Sequence, residues 1–184
     1  MYAKAVNLGM PVFDKPAGFD LMLGDWVSPH GKGMNSDIIF TGHLEKRAED
    51  DTDYTLTVSF PKTGHGIQEF RAPLYYLHSR GSELRSAEIA PADGYAPNWV
   101  QIRTRRPGKP PGGNHDLERN YYFRVRTVVD DKGNIVRAQY GKIYGDFMHF
   151  NYYLNPTPNS RDVEFDPKHN LIKNLSSLDE VREP

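Results

Sequence analysis

Between Tyr121 and Phe150 the chain spells out a β-hairpin, and this feature limits the possible folds more than any other. Tyr121 to Val129 is dense in β-branched and aromatic residues, and Ile135 to Phe150 returns with the same character. The link Asp130-Asp131-Lys132-Gly133-Asn134 supplies turn chemistry, with a glycine for the left-handed position of a short antiparallel connection. Gly141 and Gly145 interrupt the returning strand, which marks a bulge or a close approach of backbones. A second stretch alternates strictly: Tyr54, Leu56, Val58 and Phe60 are separated by Thr55, Thr57 and Ser59. That is the period of a strand with one buried face, ended here by Pro61.

The rest of the chain is cut into short pieces. Gly and Pro number 16 and 14 of 184 residues, about 16% against roughly 12% in average usage. Further strands are expected at Ile67 to Phe70, Leu74 to His78, Leu84 to Ile89, Trp99 to Thr104 and Val163 to Phe165, each bounded by turn residues. Residues 1–36 carry eight Gly and Pro residues and are expected to be irregular, with Phe19 to Val27 a short strand or turn that packs Phe19 on Trp26. Residues 167–184 are expected to be a tail, because the capping box at Ser177 to Glu180 has too little chain after it for a stable helix. Short strands joined by turns predict a single all-β domain, an antiparallel β-sandwich or jelly roll with long loops and little helix.

Composition excludes several partners. The 23 basic and 24 acidic side chains leave a formal charge of −1, so bulk charge recruits neither nucleic acid nor an anionic membrane. No apolar run approaches the ~18 residues of a membrane span, so no transmembrane span is expected. Cysteine is absent, which removes disulfides, thiolate metal sites and cysteine nucleophiles. It also favours a periplasmic or cell-surface location for a chain whose signal peptide has been removed, and the cytoplasm otherwise.

Signatures of catalysis are missing. There is no phosphate loop, dinucleotide fingerprint, Gly-x-Ser-x-Gly elbow or His-Glu-x-x-His, and no cofactor is expected. The seven histidines, His30, His43, His65, His78, His115, His149 and His169, are scattered, so no metal site is expected, and His149 reads as a half-buried strand residue. The acidic run Glu49 to Asp53 lacks the Gly and Glu of a calcium-binding EF-hand loop and reads as a solvated turn. Glu69, Glu83, Glu88, Asp93 and Asp146 are candidates for the paired carboxylates of a glycan hydrolase, with no pair singled out. Catalytic residues are therefore unassigned.

The segment 95–126 is uneven in charge, with seven cations against Asp116 and Glu118. Its cations are Arg103, Arg105, Arg106, Lys109, Arg119, Arg124 and Arg126, interleaved with Tyr95, Trp99, Tyr121 and Tyr122. On strands, Arg103 and Arg105 share one face, as do Tyr122, Arg124 and Arg126. Such a surface offers aromatic platforms for sugar rings and guanidinium forks for carboxylate or sulfate. Single-stranded nucleic acid would use the same residue types, and so would a purely solvated sheet face. The candidate ligand-binding set is Trp99, Tyr95, Arg103, Arg105, Tyr122, Arg124 and Arg126.

The run Tyr122-Phe123-Arg124-Val125-Arg126-Thr127, the turn Asp131-Lys132-Gly133-Asn134, and Tyr140 to Phe147 are followed by Tyr152 to Asn159 and Val163 to Pro167. In these the chain resembles a group of uncharacterised β-rich secreted lipoproteins of Gram-negative polysaccharide degraders, over about its C-terminal third. The resemblance implies a lipidated cysteine, which this sequence does not contain, and a place near carbohydrate uptake. The function expected is an extracytoplasmic, non-catalytic module that binds a polysaccharide or oligosaccharide, neutral or anionic. The alternatives are a protein-interaction component of a cell-surface assembly and a hydrolase with a carboxylate pair.

Overall fold

Alternation in the sequence becomes pairing in the structure, a computed structural model that describes residues 1–72 and 86–182. In chain order the strands are β1 (Tyr2–Asn7), β2 (Ala17–Asp20), β3 (Asp25–Trp26), β4 (Ile38–Ala48), β5 (Asp51–Ser59) and β6 (Gly66–Arg71). They continue as β7 (Asn98–Arg105), β8 (Gly112–Gly113), β9 (Arg119–Val129), β10 (Ile135–Asp146) and β11 (His149–Leu154). A 3-10 turn at Pro167–His169 is the one helical element among the described residues. Five strands form a sheet in the order β1-β11-β10-β9-β6, and six form a second in the order β3-β2-β4-β5-β7-β8. All strand pairs are antiparallel. The expected all-β sandwich is what the chain forms, without a closed barrel.

The inward positions of the two sheets make one apolar core. Phe19, Ile38, Phe40, Leu56 and Val58 from the six-stranded sheet meet Ile67, Phe123, Val125, Ile143, Phe150, Tyr152 and Leu154 from the other. Aromatic rings bridge the sheets, with Phe19 edge-on to Tyr152 at 6.3 Å and Phe40 at 6.2 Å from Phe147. Burying one such side chain contributes about 1.5–3 kcal/mol. Gly141 is where the flanking strands of the five-stranded sheet leave no room for a side chain: a Cβ there would lie 2.2 Å from the Phe123 ring and from the Tyr153 carbonyl.

The hairpin turn forms as read, with Asp130 N–H donating to Asn134 O at 2.9 Å and Gly133 at φ 84°. The returning stretch, expected as one strand to Phe150, is two. Gly145, at φ 96°, precedes a tight turn at Phe147-Met148, and β11 runs back beside β10. Phe19 and Trp26 pair across the β2–β3 hairpin, their rings 5.4 Å apart. Other expectations give way. The segment 1–36 supplies β1, β2 and β3, and of the acidic run Glu49 to Asp53, read as a solvated turn, only Glu49-Asp50 is a turn, since β5 begins at Asp51. Val163 to Phe165 is not a strand; an isolated bridge joins Ile89 to Asp162. The expected strand at 74–78 and the first residues of that at 84–89 lie outside the described residues.

The tail is not loose. Leu171 N–H donates to Met1 O at 2.8 Å and Ala5 N–H to Asp179 O at 2.9 Å, which occupies the outer edge of β1, while Val181 is buried beside Ala3 and Phe165. The outward face of the five-stranded sheet is likewise covered. Tyr122, Tyr140, Tyr144, Tyr153 and fully buried Lys142 lie beneath Ala90, Val163 and Phe165.

Candidate functional site

Gly42 in β4 sets the local geometry of an open cleft at one end of the sandwich. It bridges to Phe13 in the N-terminal segment, and a Cβ at Gly42 would stand 3.1 Å from the Tyr54 hydroxyl. The absent side chain leaves room for the Tyr54 ring and Met10, and Phe13 stands edge-on to Tyr54 with ring centres 6.4 Å apart. Leu44 and Arg103 flank Tyr54 in register on either side, from β4 and β7. Leu8, Met10, Met148, Thr52, Arg105 and Pro111 also line the cleft. The cavity measures about 440 Å³, within the ~300–1,000 Å³ of small-ligand sites.

Two polar atoms in this cleft are unsatisfied. The Tyr54 hydroxyl and Arg103 Nε are both buried without a hydrogen-bond partner, whereas buried polar groups are almost always paired. Burial raises the Tyr54 phenol above its usual value, so it is a neutral donor at physiological pH. Arg103 donates through Nη2 to Asp146. Asp146 also holds His115 Nδ1 at 2.9 Å and accepts from Met148 N at 2.8 Å and His149 N at 3.2 Å. Beyond Asp146 lies a cavity of about 10 Å³ lined by Trp99, Gln101 and His115, enough for one water. The unpartnered Trp99 Nε1 and buried Gln101 Nε2 would satisfy such a water.

The seven residues expected to form one basic face fall in three places. Trp99, Arg103 and Arg105 stand on β7 in the six-stranded sheet, and Tyr122, Arg124 and Arg126 on β9 in the other. Trp99 points inward, with Tyr121 tilted against it at 5.4 Å and the Arg119 guanidinium 4.9 Å from its ring centre. That packing competes with its use as an exposed stacking platform. Tyr122 is buried and stacked on Phe70 at 4.4 Å. Arg124 donates to Gly64 O and Ala92 O and lies over the Tyr95 ring at 4.6 Å. The Tyr95 hydroxyl donates to Pro91 O.

Arg126 departs from its strand's alternation. A bulge between β9 and β10 places it at φ 52° and turns it away from Tyr122 and Arg124. It grips Asp37 with two hydrogen bonds of 2.8 Å and Asp20 with one of 2.9 Å, tying the sheets together. Burial pushes the Asp37 carboxyl above its ordinary range despite Arg126. Burial pushes Asp20 the same way, but backbone donors from Met34, Asn35 and Met22 together with Arg126 outweigh it and hold this carboxyl low. Arg106 pairs with Asp53 and Arg119 with Glu69, so much of the local positive charge is neutralised by acids of the same chain.

No protein-family model, curated protein or solved structure matches this chain. Geometry alone therefore speaks for the site. Arg103 and Arg105 are the two sequence candidates that line the cleft, and Phe13, Tyr54, Met10 and Met148 join them from positions that periodicity alone does not connect. Among the acids considered for hydrolysis, Glu69 and Asp146 are held by cations, Glu88 and Asp93 are exposed, and Glu83 lies outside the described residues. Among the described residues no three His, Asp or Glu side chains gather as a metal set, and no helix is long and apolar enough to cross a membrane. His149 is exposed rather than half-buried, because the turn before β11 places it at the strand's end.

Proposed function

We propose that the protein is an extracytoplasmic, non-catalytic binding module that receives the end of a polysaccharide or oligosaccharide in the cleft between Phe13 and Arg103. The observation that carries this reading is the pairing of a ring-sized cavity of about 440 Å³ with two buried, unpartnered polar atoms on adjacent strands. Phe13 and Tyr54 present aromatic carbon to the apolar face of a sugar ring, and Tyr54, Arg103, Arg105 and the hydroxyls of Thr52 and Thr104 supply polar contacts.

Calorimetry with neutral trisaccharides, uronic-acid trisaccharides and octanoate tests it. Binding of a saccharide that is lost in Phe13→Ala supports the reading, and Phe13 is exposed enough for that variant to fold. Octanoate binding alone would overturn it in favour of an apolar acid, which the Leu8, Met10 and Met148 wall would accommodate. Absence of any binding would overturn it outright.

A second reading follows from the outer side of β7, where Val100 and Ile102 are each 41% exposed. That aliphatic pair suits docking of a protein partner at the cell surface. A Val100→Ser/Ile102→Ser variant that leaves saccharide binding intact but abolishes assembly would separate the two.

A further inference from the structure

We infer that the cleft selects ligands bearing a carboxylate or sulfate, because Asp146 serves as an internal anion that the ligand's own anion replaces at Arg103. This rests on reading the cleft as the ligand site, and adds the chemical class of what enters it. Arg103 and Asp146 are unequally satisfied. The guanidinium uses Nη2 toward Asp146, while its Nε is buried with no acceptor. A guanidinium is a planar fork that reaches full strength against an anion accepting from two of its N–H groups at once.

Asp146, in contrast, has partners to spare. His115 Nδ1 and the backbone N–H groups of Met148 and His149 all reach it. When Arg103 turns to an incoming anion, Asp146 keeps its two backbone donors with His115 Nδ1 2.9 Å away, and Arg103 gains a two-point contact. Tyr54 stands directly across from Arg103 in the β5–β7 register, and its hydroxyl, a neutral unpartnered donor, lies beside Gly42 on the β4 side of the cleft. A neutral ligand offers no such exchange. It leaves Arg103 on Asp146, and a sugar hydroxyl accepts a single weaker hydrogen bond from the guanidinium where an anion would take two charge-assisted ones.

The test compares a uronic-acid trisaccharide with its carboxyl-reduced counterpart by calorimetry, on wild type, Asp146→Asn and Arg103→Gln. Wild type is expected to prefer the acid by about tenfold, the weight of one charge-assisted hydrogen bond. Asp146→Asn, which removes the competing charge, is expected to tighten the acid several-fold more than the reduced form. Arg103→Gln is expected to abolish the preference. Equal wild-type affinity for both forms would overturn the exchange while leaving the cleft as a saccharide site. Weaker acid binding in Asp146→Asn would overturn it as well. Should Asp146→Asn fail to fold, an acid preference retained in Arg103→Gln would overturn it. Loss of all binding in wild type would instead bring down the reading of the cleft itself.

Discussion

The five-stranded sheet is buried on both faces, and the two faces are built from different chemistry. Its inner face carries Phe123, Val125, Ile143, Phe150 and Leu154 against the other sheet, a layer in which shape alone must be satisfied. Its outer face carries Tyr122, Arg124, Tyr140, Lys142, Tyr144 and Tyr153 beneath irregular segments, where each aromatic body brings a polar tip. The Lys142 ammonium lies 4.9 Å from the ring centres of both Tyr144 and Tyr153. A regular sheet covers the inner face and irregular backbone the outer one; irregular backbone brings its own carbonyls and amides, and tyrosine and arginine can answer them.

Truncating the inner layer should cost most. Phe40→Ala is expected to lose about 3–5 kcal/mol, because the cavity left among rigid rings cannot collapse. Urea denaturation measures it, and a loss below about 1 kcal/mol would mean that the layer repacks freely. The tie between the sheets comes next: Arg126→Ala leaves Asp20 and Asp37 buried without their cation, with an expected loss of about 3 kcal/mol. Arg126→Lys should recover only part, since it restores charge but not the fork.

The outer layer should respond with opposite sign. Burial lowers the Lys142 amine from 10.5 to about 8, so between those values the unfolded chain holds a proton that the folded protein does not. Stability from this group therefore rises as pH increases from 8 to 10.5, and below pH 8 the buried ammonium is a cost. Lys142→Met is expected to raise stability at pH 7 by about 2 kcal/mol and to flatten the pH dependence above 8, read from thermal unfolding against pH. A destabilisation equal to that of Phe40→Ala would erase the contrast between the two faces.

His65 is a smaller probe. Its Nε2 accepts from Thr127 N at 3.1 Å, and burial, with Lys62, Arg124 and Arg126 nearby, lowers it to about 4. Its contribution is complete above pH 6.5 and is lost as pH falls toward 4. The protein should lose about 2 kcal/mol over that window, and His65→Gln should show a shallower acid limb in the same titration. Val100→Ser, on the exposed side of β7, should shift stability by less than about 0.5 kcal/mol in urea denaturation.

Much of this architecture was legible in the residues. The hairpin of β9 and β10 is written in turn chemistry, and β5 in strict alternation, because both signals are local. Strand β1 escaped because Tyr-Ala-Lys-Ala-Val-Asn alternates weakly and owes its pairing to β11, far along the chain. The cleft was half legible: Arg103 and Arg105 were singled out by charge, but the aromatic partner is Tyr54, not Trp99. Telling them apart requires knowing that Trp99 faces Tyr121 while Tyr54 is crossed by a chain segment more than forty residues earlier. Arg126 misled for a stereochemical reason, since one bulge reverses the side on which every later residue of a strand stands.

The Arg126 grip also has a bearing on time. Its partners stand 89 and 106 positions away, so the contact cannot close until the β2–β4 region and the late hairpin have each taken shape and met. Interactions completed so late contribute little to the barrier for folding and most of their strength to the barrier against unfolding. Arg126 is thus a latch on the finished sandwich, one that governs how long the two sheets stay together more than how quickly they find each other.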